Sequence, residues 1–242
     1  MGDIRVGTSG WRYPQWRGDF YPRGLQQRLE LDFLSRILDT VELNGPFYGL
    51  RTPNDYASWR TRTPEDFLFA VKAHREITHH RRLREVDEAV AEFFDSGVRD
   101  LGHKLGPILW QLPPTLPCKP DRLKTFLDLL PTDTRHALEI RHRSYLTPEV
   151  TNLLRDKGIA LVVAESAGRF PEPEEITADF VYVRLHGDKE LYVSQYSDEA
   201  LDRWATKIRW WARKKDVYVY FDNTMKGAAP HDARALAARL ST

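Results

Sequence analysis

The sequence of 242 residues predicts one α/β domain, a (β/α)8 barrel of the TIM type that spans residues 1–242. Three observations predict this fold. Short runs rich in Val, Ile, Leu, Phe and Tyr recur along the chain, amphipathic segments separate most of them, and the length is typical of one such barrel. The runs begin roughly 20–40 residues apart, which is the size of a strand–helix unit.

Eight runs have the length and composition of buried parallel strands, which are nearly continuous in apolar residues. They are Ile4–Thr8, Thr40–Asn44, Phe67–Lys72, Pro107–Leu112, His136–Arg141, Ile159–Glu165, Phe180–His186 and Val217–Phe221. The segments between them mostly show the 3.6-residue apolar period of helices. The clearest are Leu25–Asp39, Val86–Leu101 and Asp121–Leu130. Thr147 and Ser197 are expected to cap helix starts, and Gly158 is expected to end a helix.

The sixth strand–helix unit departs from the pattern. Ser166–Asp179 is rich in Pro and Glu and predicts a loop where a helix would stand. Lys72–His103 is the best place for an inserted or extended element. An open doubly wound sheet is the alternative fold, but the glycines of Gly7–Trp11 do not have the spacing of a nucleotide-binding turn.

Charge and cysteine content exclude several classes of protein. The chain has 36 basic and 35 acidic residues, which argues against a protein that binds polyanions through its overall charge. Cys118 is the one cysteine and cannot form an internal disulfide, so we expect a reducing, cytoplasmic environment. No apolar run reaches the ~20 residues that span a bilayer. The N-terminus lacks the basic and apolar pattern of a signal peptide, so no membrane association is predicted.

Polar residues gather at the carboxyl ends of the predicted strands. In a barrel these ends meet at one rim, where barrel enzymes hold their active sites. The rim residues are Thr8, Ser9, Glu42, Asn44, Lys72, Gln111, Glu139, Arg141, His142, Glu165, Arg184, His186, Asp222 and Asn223. Because a charged side chain is costly to bury unpaired, we expect Glu42 and Glu139 to pair with Arg141, Arg184 or Lys72. The alternative is a set of ion pairs that only caps the barrel.

Aromatic residues make up 12% of the chain, and many of them alternate with Arg in the loops after the first two strands. Trp11 and Tyr13 follow the first strand, and Phe47 and Tyr48 follow the second. Rings offer flat faces for sugars or bases, and Arg binds carboxylate or phosphate. The alternative for each ring is a packed loop that shields the end of the barrel.

Nine segments, in order along almost the whole chain, resemble the domain-of-unknown-function-72 (YecE-like) family. They are Gly7–Trp11, Phe20–Pro22, Val41–Tyr48, Trp59–Phe67, Ile77–Leu83, Lys104–Pro114, Ala137–Tyr145, Val181–Gly187 and Tyr218–Thr224. The resemblance implies a TIM-type barrel, in agreement with the strand count, and supplies no reaction. Two places depart from the family pattern: Asn44-Gly45-Pro46 stands where small polar residues are expected, and Asp222-Asn223 stands where many relatives have successive Asn. Both leave the rim polar.

Three kinds of site fit the rim residues. Glu42, Glu139 and His186 form a candidate acid/base centre, because two carboxylates among basic residues would have pKa values pushed apart, as in glycoside hydrolysis. The same residues with Asp222 or Glu165 form a candidate site for Mn, Mg or Zn. Since the neighbouring Arg and Lys residues would repel a cation, no cofactor or metal is predicted, and a divalent metal is kept as the alternative.

The third kind of site is an anion site where the last strand runs into the last helix. Asn223 and Lys226 lie in this segment, and barrels often bind phosphate at a helix start in this position. A plain turn with a surface lysine is the alternative. His79 and His80 are adjacent, so they do not share a helix face, and we expect them at a polar surface or in contact with phosphate.

The sequence therefore favours an enzyme that acts on a small anionic, phosphorylated sugar-like or nucleotide-like substrate. Glu42 and Glu139 are the expected acid/base residues, assisted by His186, and the class of hydrolase, lyase or isomerase stays open. The expected binding residues are Thr8, Ser9, Trp11, Tyr13, Asn44, Phe47, Tyr48, Lys72, Gln111, Arg141, His142, Arg184, Asp222, Asn223 and Lys226.

Two further functions are kept as alternatives. In a nucleic-acid-binding or nucleic-acid-processing protein, bases would stack on the loop aromatics and Arg would contact phosphates. The stacking residues would be Trp11, Tyr13, Trp16 and Phe47, with Arg12 and Arg17 on the phosphates. The other alternative is a non-catalytic binding protein. The sequence assigns no oligomeric state.

Overall fold

The computed structural model of the chain describes residues 1–241 and contains a parallel sheet of nine strands. The strands are β1 Ile4–Ser9, β2 Thr40–Leu43, β3 Leu68–Lys72, β4 Leu105–Gln111, β5 His136–Glu139, β6 Ala160–Leu161, β7 Val163–Glu165, β8 Phe180–Leu185 and β9 Asp216–Phe221. Their order is β6-β5-β4-β3-β2-β1-β9-β8-β7, so each neighbour follows the chain except where β1 meets β9.

The two ends of this sheet are halves of one strand, separated by Val162. β6 pairs with β5 through Leu161 and Leu138, while β7 pairs with β8 through Val163 and Val183. The amide of Val162 also donates a hydrogen bond to the carbonyl of Leu138 at 3.0 Å. The sheet therefore closes on itself, which confirms the eight predicted strands and the barrel and excludes the open sheet.

Helices surround the barrel. They are α1 Glu30–Leu34, α2 Gly45–Tyr48, α3 Pro53–Thr61, α4 Asp87–Asp95, α5 Pro120–Asp128, α6 Pro148–Asp156, α7 Asp198–Ala212 and α8 Ala229–Leu240. The predicted capping roles are confirmed, since the side chains of Thr147 and Ser197 accept hydrogen bonds from the backbone at the starts of α6 and α7. Gly158 follows α6 with a left-handed φ of 63°. No helix within residues 1–241 has the length and apolar character needed to cross a membrane.

Two predicted helices are interrupted. The segment Leu25–Asp39 forms a 3-10 turn followed by the short α1. The segment Val86–Leu101 breaks at Gly97, whose φ is 99° and where a Cβ atom would lie 2.6 Å from the Cα of Pro53. This close approach requires glycine, and the chain continues over Val98–Lys104 as two short 3-10 turns separated by a kink at Gly102, whose φ is 60°.

One loop has the structure that the sequence predicts, and a second contains a turn that the sequence does not predict. Residues 166–179 contain no helix, as predicted for the sixth unit. Within the long segment Lys72–His103, a π-helical turn forms over Glu76–His80. Arg82, Leu83 and Glu85 follow it with left-handed φ angles of 54°, 61° and 48°. The apolar periodicity does not indicate this turn.

The interior of the barrel is filled by side chains that alternate with those facing the helices. Small residues such as Ala70 and Ala137 on one side of the barrel complement Tyr182 and Tyr220 on the other. Along β8 the same alternation directs Tyr182 and then Arg184 inward, and His186 follows in the same direction. The side chains that fill the middle of the barrel are therefore uncharged, and those at its carboxyl end are charged.

Candidate active site

Arg184 forms the centre of a charged cluster at the carboxyl end of the barrel. Its guanidinium is fully buried and donates to Glu42 from Nε at 3.0 Å and from Nη2 at 2.7 Å. It also donates to Glu139 from Nη1 at 2.6 Å and to Asp222 from Nη2 at 3.2 Å. The expected pairing of Glu42 and Glu139 with rim arginines is therefore confirmed, and three carboxylates from different strands converge on one cation.

Glu42, at the carboxyl end of β2, has both oxygens occupied. Oε1 accepts from Arg184 and from the hydroxyl of Ser9, while Oε2 accepts from Arg184 and from the hydroxyl of Tyr182 at 2.7 Å. Asn44 supports Ser9 by donating to its Oγ at 2.9 Å. Four hydrogen bonds fill the acceptor sites of one carboxylate, so this geometry fixes the position of the Glu42 side chain.

Glu139, at the end of β5, is bound in a similar way. Its Oε1 accepts from Arg141 Nε at 2.7 Å and its Oε2 accepts from Arg184. Burial acts to raise the pKa of Glu139, but the charges of Arg141 and Arg184 outweigh burial and hold this pKa well below its ordinary value. A carboxyl group in this state is a poor proton donor, which argues against Glu139 as the acid of the expected acid/base pair.

His186 is fully buried beside this cluster. Its Nδ1 lies 2.9 Å from Asp222 Oδ2, whereas its Nε2 has no hydrogen-bond partner within residues 1–241 and lies 3.6 Å from Glu139 Oε1. Burial acts to raise the pKa of Asp222, but Arg184 and His186 outweigh it and hold the pKa below its ordinary value. The Asp222 carboxylate therefore fixes the orientation of the imidazole through Nδ1 and directs Nε2 toward Glu139.

Lys72, at the end of β3, differs from the other cations at the rim. It is half-buried, its Nζ lies 4.1 Å from the centre of the Phe47 ring, and it makes no hydrogen bond or ion pair to any of residues 1–241. Burial and the nearby charge of Arg184 lower the pKa of Lys72 to about 8. Gln111 ends β4 on the same inner face, so an amine and an amide stand beside the saturated cluster.

His79, expected at a polar surface or in contact with phosphate, completes the rim together with Tyr192 and Phe170, which the sequence pattern does not indicate as site residues. The ring of His79 contacts Phe47 at 5.0 Å, and burial lowers the pKa of His79 to about 4, so His79 is neutral inside the rim. Tyr192 accepts from Arg141 at 3.0 Å, and the ring of Phe170 lies 4.5 Å from the same guanidinium. These residues lie in the π-helical turn and in two irregular loops, where periodicity carries no signal.

A cavity of about 290 Å³ lies between α3 and the loops that follow β1 and β2. The rings of Trp11 and Trp59 meet edge to face at 5.7 Å in its wall, and Asn44 connects it to Ser9. Arg51 donates to the carbonyl of Gly45, while its Nε has no partner. The lining residues are Gly10, Trp11, Arg12, Tyr13, Leu43, Asn44, Gly45, Arg51, Asp55 and Trp59. The expected grouping of loop aromatics with Arg is therefore present for Trp11 and Tyr13.

Several expected binding residues face away from the rim. Thr8 precedes the inward Ser9 and so points outward, where its hydroxyl donates to the carbonyl of Gly10 at 2.8 Å. His142 caps the turn that follows β5 by accepting from the amide of Ser144. Asn223 follows the inward Asp222 and donates to Asp232 at 2.7 Å.

Exposure and burial distinguish other expected residues from the charged cluster. Lys226 is exposed and makes no side-chain hydrogen bond or ion pair to any of residues 1–241, so the phosphate site there stays a prediction. Trp16 is fully buried and cannot stack on a base, which removes it from the nucleic-acid alternative. Tyr48 is 67% exposed and lies outside the cluster, although its ring contacts Phe47.

The carboxylates do not form a metal site. Arg184 occupies the space between Glu42, Glu139 and Asp222 that a cation would need. Glu165 instead accepts from the indole of Trp204 at 2.9 Å. Within the part of the chain that the structure describes, no group of His, Cys, Asp and Glu side chains is arranged to hold a metal ion.

Known proteins of similar sequence and structure match nearly the whole chain. The chain is 25% identical to the UPF0759 protein YunF of Bacillus subtilis (strain 168), with 96% of this chain and 93% of the relative covered. It is 24% identical to the UPF0759 protein YecE of Escherichia coli (strain K12), with 94% and 89% covered. The crystal structure of a DUF72 family protein from Thermotoga maritima has a TM-score of 0.88 at 26% identity, with 99% of this chain and 100% of that chain covered.

The family profile described as "Protein of unknown function DUF72" matches residues 5–242, which include the barrel strands except the first residue of β1 and the whole charged cluster. The sequence resemblance, the closed barrel and the similar crystal structure agree. The chain therefore belongs to the DUF72 family.

Proposed function

We propose that this protein is an enzyme that binds a small anionic substrate at the carboxyl ends of its strands and transfers protons there through His186. One observation carries the proposal: Asp222 holds Nδ1 of this buried imidazole, while Nε2 has no hydrogen-bond partner among the residues that the structure describes. A histidine fixed at one nitrogen and free at the other is suited to act as a general base. Glu139, 3.6 Å from Nε2, would stabilise the imidazolium that forms.

In this proposal the two glutamates have an electrostatic role. Glu42 and Glu139 were the expected acid/base residues, but their oxygens are occupied by Arg184, Arg141 and neighbouring hydroxyl groups. Such preorganised charges stabilise a transition state without having to reorganise during the reaction. Proton transfer is therefore assigned to His186, and the glutamates hold the surrounding charges in place.

The charge of the cluster supports an anionic substrate. Three carboxylates stand against three cations, and Arg184 and Arg141 are paired with the carboxylates by hydrogen bonds. Lys72 makes no ion pair within residues 1–241, so it is the cation that can bind a phosphate or carboxylate without losing another partner. The neighbouring cavity, with Trp11, Trp59 and Arg51 in its wall, suits the ring of a sugar-like or nucleotide-like molecule.

Binding is tested by thermal unfolding in the presence of glucose 6-phosphate, ribose 5-phosphate and adenosine monophosphate. At least one is expected to raise the Tm of the wild-type protein, and Lys72→Met should remove most of this shift. Lys214→Met is the matched control, because Lys214 is exposed in the turn between α7 and β9, at the amino end of β9 and so away from the carboxyl-end rim. The proposal fails if none of the three compounds shifts the Tm.

Proton transfer is tested by NMR in deuterated water on the ligand that binds. We expect carbon-bound hydrogens of the ligand to exchange with solvent in the presence of the wild-type protein. His186→Gln should slow this exchange by roughly 100-fold or more while binding persists, because general-base catalysis contributes ~10²–10⁴-fold. Exchange that is unchanged in His186→Gln would remove His186 from the proposed role.

A further inference from the structure

Lys72 is held in a position that exposes its amine to a bound molecule. β3 pairs with β2 through Val71 and Leu43 and with β4 through Lys72 and Leu109, so hydrogen-bonded strands fix the backbone on both sides. The side chain lies on the Phe47 ring and remains partly exposed. The amine of Lys72 therefore lies at the rim on a rigid section of backbone, and no carboxylate within residues 1–241 binds to it.

We propose that Lys72 is a nucleophile that forms an imine with the aldehyde or ketone group of an anionic carbonyl compound. This inference rests on the proposed function, because it assigns a substrate class to the same site. It adds a covalent step to the proton transfer assigned to His186.

The environment of Lys72 favours the neutral amine that such a reaction needs. A lysine becomes nucleophilic when it is desolvated or placed beside another cation. Burial and Arg184 provide both effects and lower the pKa of Lys72 to about 8. About one amine in ten is then neutral at pH 7, against about one in three thousand for an ordinary lysine.

The other buried lysine shows the contrast. Lys104 lies below the barrel with only 3% of its surface exposed. Its Nζ donates to the carbonyls of Arg60 and Thr63, at 2.8 and 2.9 Å, and to the hydroxyl of Thr63. These three acceptors occupy every N–H position of the nitrogen, so Lys104 has a structural role.

The proposed step balances without an added reagent. Starting from the ammonium form, Nζ loses two protons and forms a bond to the carbonyl carbon. The carbonyl oxygen leaves with these two protons as water, and the positive charge stays on the iminium nitrogen. The charges of Glu42, Glu139 and Asp222 favour that cation. An iminium group also acidifies the adjacent carbon, which provides a C–H proton of the kind that His186 would remove.

The test uses glycolaldehyde phosphate as the probe, with sodium cyanoborohydride to reduce any imine to a stable secondary amine. Mass spectrometry of proteolytic peptides then gives the labelling rate of each lysine. We expect Lys72 to be labelled at least tenfold faster than Lys214, with a rate that rises with pH up to about 8. Lys72→Met should lose this fast label, and Lys214→Met should keep it.

Each outcome decides between the inference and the proposed function. If glycolaldehyde phosphate raises the Tm but labels Lys72 no faster than Lys214, the covalent role is wrong and anion binding stands. If glycolaldehyde without phosphate labels Lys72 as fast as the phosphorylated probe, the amine is a nucleophile and the anionic substrate class is wrong. If neither probe labels Lys72 selectively and none of the phosphorylated compounds shifts the Tm, both proposals are wrong.

Discussion

Arg184 donates two hydrogen bonds to Glu42, from Nε to Oε2 at 3.0 Å and from Nη2 to Oε1 at 2.7 Å. The two residues lie on β8 and β2, which are not neighbours in the sheet. The ion pair therefore connects two separate parts of the barrel wall through the interior of the barrel. Two-point contact between a guanidinium and a carboxylate fixes orientation as well as distance. This pair therefore sets the position of Glu139 and Asp222, which contact the same guanidinium.

Removing Arg184 should destabilise the fold strongly. Arg184→Met leaves three carboxylates around an apolar side chain, and breaking a buried ion pair on one side costs about 3–5 kcal/mol. Guanidinium unfolding at pH 7 measures this loss, and unfolding at pH 4 should show a smaller one because the freed carboxylates can then take up protons. Arg213→Met is the control, since Arg213 is exposed. Equal losses for the two variants would contradict this account.

Glu139 should contribute to the loss of stability in acid. Its pKa in the folded protein is well below the ordinary value of 4.5, so between these two values the unfolded chain binds more protons. Stability is then fully present above about pH 4.5 and falls as the pH decreases toward the folded pKa. Glu139→Gln should show a shallower fall of unfolding free energy below pH 4.5 than wild type. The exposed Glu190→Gln should keep the wild-type slope, and a wild-type slope in Glu139→Gln would refute the prediction.

The fold could be predicted because the composition of the strands, their spacing and the length of the chain are signals spread over the whole sequence. All eight predicted strands lie within a few residues of those observed, and the loop after β7 was expected from its proline content. The break at Gly97 could not be predicted, because it depends on the approach of Pro53 from another helix. The left-handed residues after the π-helical turn are not glycines, so they left no trace in composition.

Only the site residues that lie on strands could be predicted, because side chains alternate between the two faces of a strand. The sequence predicts a cluster of Glu42, Glu139 and Arg184, because their strands direct all three side chains into the carboxyl end of the barrel. The number of hydrogen-bond donors around Glu42 and Glu139 could not be read from the sequence. In the proposal, this number is the reason that the two glutamates have an electrostatic role and do not transfer protons. Tyr192 was missed for a related reason: its contact with Arg141 depends on a loop whose path is set by tertiary packing.

His136, at the start of β5, should make stability sensitive to mildly acidic pH. Its Nδ1 accepts from the indole of Trp110 at 3.1 Å, and burial lowers the pKa of His136 to about 4. Between about 4 and the ordinary value of 6.5 the unfolded chain binds more protons, so stability falls as the pH decreases through this range. His136→Gln should flatten the pH dependence of the Tm between pH 4 and 6.5. An unchanged dependence would show that another group titrates there.

Lys72 should reduce stability at neutral pH, as a charge kept for function would. Its folded pKa of about 8 lies below the ordinary 10.5, so between these values the unfolded chain binds more protons and stability rises with pH. Below about pH 8 the full cost of holding the ammonium is present. Lys72→Met should therefore raise the free energy of unfolding at pH 7 by roughly 1–3 kcal/mol, given ~1.4 kcal/mol for each tenfold change in proton affinity. The gain, measured by urea unfolding, should shrink between pH 8 and 10.5, while Lys214→Met should show no gain at any pH. A Lys72→Met protein less stable than wild type at pH 7 would mean that this ammonium is stabilised by its surroundings, and the amine would then be a poor nucleophile.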